Sequence, residues 1–142
     1  MSKIAVIYWS GTGNTEAMAQ AVAEGAKGAG AAVDLFSVSE TTPEAAAGYD
    51  ALALGCPAMG AEVLEESEFE PFFTALEGRL SGKKTALFGS YGWGDGQWMR
   101  DWYERAGSAG AALCGAEGLM VNETPDEDGL KACQDLGAAL AS

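Results

Sequence analysis

The chain contains no histidine. That removes the commonest general base and the commonest metal ligand, and it excludes any Ser–His or Cys–His nucleophile mechanism. Basic residues are scarce: 8 Lys and Arg stand against 21 Asp and Glu, for a formal net charge of −13. A phosphate backbone would be repelled by such a surface, which argues against a nucleic-acid partner. The same charge suits solubility, and it equally suits electrostatic steering toward a basic partner. Cysteine is limited to Cys56, Cys114 and Cys133, an odd and widely spaced set without a CxxC pair. A disulfide framework or a zinc site does not fit that pattern. No apolar run approaches the roughly 18–20 residues of a membrane span. The N-terminus runs straight from Lys3 into strand-like Ile4-Ala5-Val6, with no basic segment, apolar segment and cleavage site of a secretory leader. The expectation is a cytoplasmic protein without a membrane partner.

What is present is an alternation of apolar runs and helical patterns over 142 residues, a length that fits one domain, 1–142. Lys3–Tyr8, Ala32–Val38, Tyr49–Gly55, Lys84–Gly89 and Glu117–Asn122 read as strands. Asn14–Lys27, with Met18, Ala21, Val22 and Gly25 at helical spacing, reads as a helix, and so does the short Thr41–Gly48 with Pro43 at its first position. Ser67–Leu80 is expected as a helix opened by a Ser67/Glu70 capping box, with Phe69, Phe72, Phe73 and Leu76 facing inward. Gln97–Ala106 places Trp98 and Trp102 one turn apart, a spacing that predicts core packing. A last helix is expected from Thr124 as cap and Pro125 at its first position, with Glu127 completing a capping box, to about Leu140.

Continuous apolar strands alternating with amphipathic helices predict an α/β protein: a doubly wound, five-stranded parallel sheet in the order 2-1-3-4-5, with helices on both faces. Ligand sites in such sheets lie beyond the strand C-terminal ends at the β1/β3 switch point.

The loops after the first, third and fourth strands are all unusual. The first, Trp9-Ser10-Gly11-Thr12-Gly13-Asn14-Thr15, joins two glycines, hydroxyls and an amide to a helix N-terminus. Glycines let backbone N–H groups converge on a small anion, and the helix end adds free donors and a favourable dipole. It is neither GxxxxGK[ST] nor GxGxxG, and no Lys or Arg lies between Lys3 and Lys27. A monophosphate held by neutral donors fits better than a nucleoside triphosphate. The second loop is Gly55-Cys56-Pro57-Ala58-Met59-Gly60-Ala61-Glu62, and the third is Ser90-Tyr91-Gly92-Trp93-Gly94-Asp95-Gly96. No hydrophobic period explains Trp93, which suits an aromatic that stacks on a planar ligand.

Ser10-Gly11-Thr12-Gly13-Asn14-Thr15, with Cys56–Glu62 and Ser90–Gly96, resembles the short-chain flavodoxins of the clostridial type over essentially the whole chain. The resemblance implies a non-covalently bound FMN and a low-potential one-electron carrier, not an enzyme, cycling mainly between semiquinone and hydroquinone. It implies that Ser10, Thr12, Asn14 and Thr15 bind the phosphate with backbone help from Gly11 and Gly13, and that Trp9 shields this loop. Met59 and Trp93 would flank the isoalloxazine, with Pro57, Ala58 and Ala61 beside Met59 and Gly94 beside Trp93. Backbone around Tyr91 and Gly92 would meet the pyrimidine edge, Glu62 would accept from flavin N3–H, and Ser90 would lie near the phosphate or ribityl end. A flip of the Gly60–Ala61 peptide would turn the Gly60 carbonyl toward N5–H. The implied partners are redox enzymes with basic docking surfaces, the ferredoxin type of partner, met by a monomer. Pro57 stands where some relatives have a hydroxyl residue, and Ala61 where some have a polar one. A receiver domain of the same topology needs an acidic cluster after the first strand and an Asp after the third. Trp9-Ser10-Gly11 and Cys56-Pro57 occupy those places.

Overall fold

A computed structural model describes residues 3–11, 13–59, 63–92, 96–115 and 117–141. Strands β1 (Lys3–Tyr8), β2 (Ala32–Ser37), β3 (Ala51–Gly55), β4 (Lys84–Tyr91), β5 (Ala112–Leu113) and β6 (Leu119–Asn122) form one sheet in which every pairing is parallel. The order is β2-β1-β3-β4-β5, with β6 also paired to β4. The doubly wound sheet expected from the alternation is therefore present. The fifth strand position differs in one respect. Two short segments share it, β5 beside Lys84–Thr85 and β6 beside Phe88–Tyr91. Ala112–Leu113 is too short to announce itself as a strand; it is extended because the start of β4 offers it partners.

The helices are α1 (Asn14–Gly28), α2 (Pro43–Ala47), α3 (Phe69–Glu77), α4 (Gln97–Ser108) and α5 (Glu127–Ala141). Period-two alternation splits the core into two layers. On one face, Ala5, Ile7, Leu52, Leu54 and Leu87 meet Phe69, Phe73, Trp98 and Trp102 of α3 and α4. Trp102 stands edge-on to Phe69 and Phe73, with centroids 5.4 and 5.8 Å apart. On the other face, Ile4, Val6, Ala51, Ala53 and Ala86 meet Met18 and Val22 of α1 and Cys133 and Leu140 of α5. The smaller side chains there let α1 and α5 sit close to the sheet and to each other. A Cβ added to Gly137 would lie 2.0 Å from the Val22 carbonyl oxygen, and one added to Gly25 1.9 Å from that of Gln134. The helix pair interlocks backbone on backbone.

Two helix starts depart from the expected capping. In α3 the Ser67/Glu70 box does not form. The Glu65 carboxylate instead accepts the amides of Ser67, Glu68 and Phe69 at 2.9, 2.7 and 2.9 Å, together with the Ser67 hydroxyl. Glu70 is held by Arg105, which donates to its two oxygens at 2.8 and 2.7 Å and to Glu77 at 2.9 Å. In α5 the start lies at Glu127, and Asp126, not Thr124, supplies the acceptor, taking the Gly129 amide at 2.8 Å. A carboxylate one residue before the helix reaches the third helical amide; Thr124 lies too far upstream for that reach.

The Arg105 guanidinium holds the Glu70 carboxyl below its ordinary 4.5. A carboxylate with a depressed folded pKa contributes stability that is present above the unfolded value and lost as pH falls through the folded one. Arg105→Leu is therefore expected to lower resistance to urea at pH 7. Its stability should also fall less steeply than that of the wild type as pH drops below about 4.5. Urea midpoints at pH 7 and pH 4 check both; a difference between variant and wild type that does not shrink at pH 4 contradicts the assignment.

Candidate FMN-binding site

β1, β3 and β4 run side by side, with Tyr8 opposite Gly55 and Gly55 opposite Phe88, so their following loops emerge at one end of the sheet. Backbone bonds tie these loops together. Trp9 N–H donates to Gly55 at 3.0 Å, Cys56 N–H to Phe88 at 3.1 Å, and Ala58 N–H to Ser90 at 3.1 Å.

In the first loop, Gly13 sits at φ +94°, a left-handed geometry that glycine adopts without strain. It ends the loop directly against α1, whose N-terminus has no side-chain cap among the described residues. The first amides of α1 are thus left for an external acceptor, with the helix dipole behind them. Beneath this end, Thr15 Oγ1 and Ser90 Oγ lie 3.1 Å apart, and both residues are buried. Ser10 Oγ accepts the Gly13 amide at 3.0 Å, which fixes the bend of the loop. The Trp9 ring covers Gly11, within 3.1 Å of where a Cβ would sit, and its indole N–H donates to Glu68 at 3.2 Å.

A cleft of about 250 Å3 opens here. Trp9, Gly11 and Asn14 form its phosphate-loop side, Pro57, Ala58 and Met59 one wall, and Ser90, Tyr91 and Gly92 another. Among the described residues no lysine or arginine lines it. Glu123 also lines it, a residue that sequence reasoning missed. Its φ of +58° and its amide bond to the Tyr91 carbonyl, 2.7 Å, place it at the rim. A second cleft, about 390 Å3, lies on the far side of Trp9 and Gly11. Ser10 and Gly13 face that one, with Tyr8, Glu16 and Glu68. Burial, with Glu16 accepting the phenol proton at 2.9 Å, pushes Tyr8 up to about 12.

The structure thus gathers nine of the sequence-derived candidates around one cleft, Thr15 beneath it, and Ser10 and Gly13 behind its loop. Thr12, Gly60, Ala61, Glu62, Trp93 and Gly94 lie outside the described residues. Trp98 and Trp102 are core residues, 1% exposed, as their spacing predicts. Burial pushes the Cys56 thiol up to about 12 and Cys133 likewise, so neither is a nucleophile at neutral pH. Among the described residues no group of carboxylates and thiols could hold a metal ion.

A helix end without a side-chain cap among the described residues, neutral donors and an apolar cleft at the switch point of a doubly wound sheet are the features of the class of proteins that take a phosphorylated planar ligand there. The flavodoxin family model matches residues 6–137. A flavodoxin from Megasphaera elsdenii is 49% identical over 138 residues, covering 97% of this chain and 98% of that one. A flavodoxin from Clostridium beijerinckii is 48% identical over 137 residues, covering 96% and 98%. The solution structure of two-electron reduced Megasphaera elsdenii flavodoxin superposes with a TM-score of 0.88 over 97% of this chain and 98% of that one, at 48% identity. The chain belongs to the flavodoxin family, whose cofactor is FMN and whose work is electron transfer.

The residues present fit that cofactor. A phosphate needs convergent N–H and O–H donors, and the α1 end with Asn14, Thr15 and Ser90 offers them. An isoalloxazine needs apolar walls, and Trp9, Met59 and Tyr91 supply them along the cleft.

Proposed function

We propose that this protein is a low-potential, one-electron carrier that shuttles electrons between redox enzymes, rather than an enzyme with its own substrate. The N-terminus of α1, without a side-chain cap among the described residues and opening on an apolar cleft that no described cation lines, carries this reading. When bound, FMN supplies the electron chemistry; the chain supplies binding, exclusion of water and an electrostatic setting. Asn14, Thr15 and the α1 amides would hold the phosphate, with Thr12 as a further donor. Met59 and Trp93 would flank the ring, and Glu62 would hold its edge. Glu123 at the rim and a cleft that no described cation lines would disfavour further negative charge on a bound flavin, which would make its second reduction the low-potential one and set the carrier to work mainly between the one- and two-electron-reduced states.

The net charge of −13 supports transient docking of a monomer on basic surfaces of partner enzymes in the cytoplasm. No described helix is long and apolar enough to cross a membrane. Titration of the cofactor-free chain with FMN should give a stoichiometric yellow complex with quenched flavin fluorescence. Stepwise reduction should then show two separated one-electron waves. A chain that takes up no FMN, or a complex reduced in a single two-electron wave, would overturn the proposal.

A further inference from the structure

We propose that Glu65, acting with Cys56, is a positioning residue that holds Pro57, Ala58 and Met59 in place on the wall of the cleft. This rests on the FMN reading above. Glu65 is only 5% exposed, and no sequence motif singles it out. Every polar group it has is engaged. Its carboxylate takes the three amides and the hydroxyl that open α3. Its carbonyl accepts the Glu70 amide at 2.8 Å. Its own N–H donates to Cys56 Sγ at 3.4 Å.

Cys56 is held as firmly. Its amide donates to Phe88, and its carbonyl accepts the Trp98 indole N–H at 3.0 Å. The two ends of the loop are therefore clasped together and anchored, one to β4 and α4, the other to α3. Inside the clasp, the Met59 amide donates to the Val63 carbonyl at 3.0 Å and narrows the loop again. Residues 57–59 and 63–64 are bounded on both sides by fixed points. Met59 and Ala58 are thereby held in their places on the cleft wall.

A helix cap with no further role would alter stability alone. A frame for the loop alters what the loop does to FMN. Glu65→Gln puts an amide where three N–H donors converge, and Cys56→Ala removes the sulfur acceptor. Cys133→Ala makes the same truncation in the opposite layer of the core, against α1, and serves as the stability control. The readouts are urea midpoint, amide exchange at Val63–Phe69 in the cofactor-free chain, the FMN dissociation constant, and the yield of one-electron-reduced FMN at half reduction.

For Glu65→Gln the FMN dissociation constant should rise about tenfold, as expected when a hydrogen-bonded charged group is lost. Exchange at Val63–Phe69 should quicken and the one-electron yield should drop. Cys56→Ala should move the same quantities in the same direction. Cys133→Ala should lower the urea midpoint while leaving the other three readouts within about twofold, because distant sites act independently. If Glu65→Gln and Cys56→Ala lose urea resistance yet keep wild-type FMN affinity and one-electron yield, Glu65 is only a cap and the proposal fails. Should Glu65→Gln not fold, Cys56→Ala decides by the same criteria. Wild-type protein that takes up no FMN overturns the carrier reading itself, a result distinct from an unchanged variant.

Discussion

Gly137→Ala is expected to destabilise the fold by about 3 kcal/mol, where the same change at an exposed helical position would add up to about 1 kcal/mol. The sign reverses because of what the methyl group meets. A Cβ at Gly137 would lie 2.0 Å from the Val22 carbonyl oxygen and 2.9 Å from the Ala26 amide nitrogen. Both are backbone atoms in the middle of α1, so no side chain can swing aside. The helices must separate, and the Ala-lined layer beneath them then loses its close packing. Gly28→Ala is the matched control. It ends α1, the helix that Gly137 packs against, but its added Cβ would have nothing within 4 Å. Urea unfolding of the two variants should differ in sign relative to wild type. Equal behaviour would show that the helices do not cross as tightly as described.

The second large effect belongs to the buried hydroxyl pair. Thr15→Val preserves shape and removes one oxygen, leaving Ser90 Oγ without the partner it has at 3.1 Å. Thr15 is 1% exposed and Ser90 4%, so water cannot readily replace the lost bond. An unsatisfied buried hydroxyl costs about 1–3 kcal/mol, and on the proposed FMN reading the loss of a phosphate donor adds to it on binding. FMN affinity should fall by roughly 10- to 100-fold. Thr15→Val with Ser90→Ala should cost less than the sum of the two single changes, since the pair is then removed together. Fluorescence titration of the cofactor-free variants gives all four affinities. Strict additivity would mean that the two hydroxyls act separately.

The parts of this molecule that can be read from the chain are those whose cause is local. The turn between β1 and α1 is one, because glycines, hydroxyls and a helix start are contiguous after an apolar run. The inward row of Phe69, Phe72, Phe73 and Leu76 is another, since helical spacing alone defines it and all four are buried. What escapes such reading depends on distant partners. Ser67 and Glu70 have the spacing of a capping box, but Arg105, 35 residues further on, draws Glu70 away. Glu65 then caps α3 from outside the motif. Ala112–Leu113 is a strand only because Lys84–Thr85 lies beside it. Glu123 reaches the cleft rim through a bond to Tyr91, which the expected end of the fourth strand at Gly89 left outside the sheet.

The interlocked α1 and α5 also govern when the site matures during synthesis. Glu24 and Gln134, which meet across this pair, are 110 residues apart in the chain. A ribosome must therefore release nearly all of this sequence before α1 gains its packing partner. Until then the N-terminal end of α1, the proposed phosphate site, rests on a helix covered on one flank only. Cofactor capture is thereby reserved for chains whose last helix has docked, so a truncated product should emerge colourless even though its phosphate loop is intact.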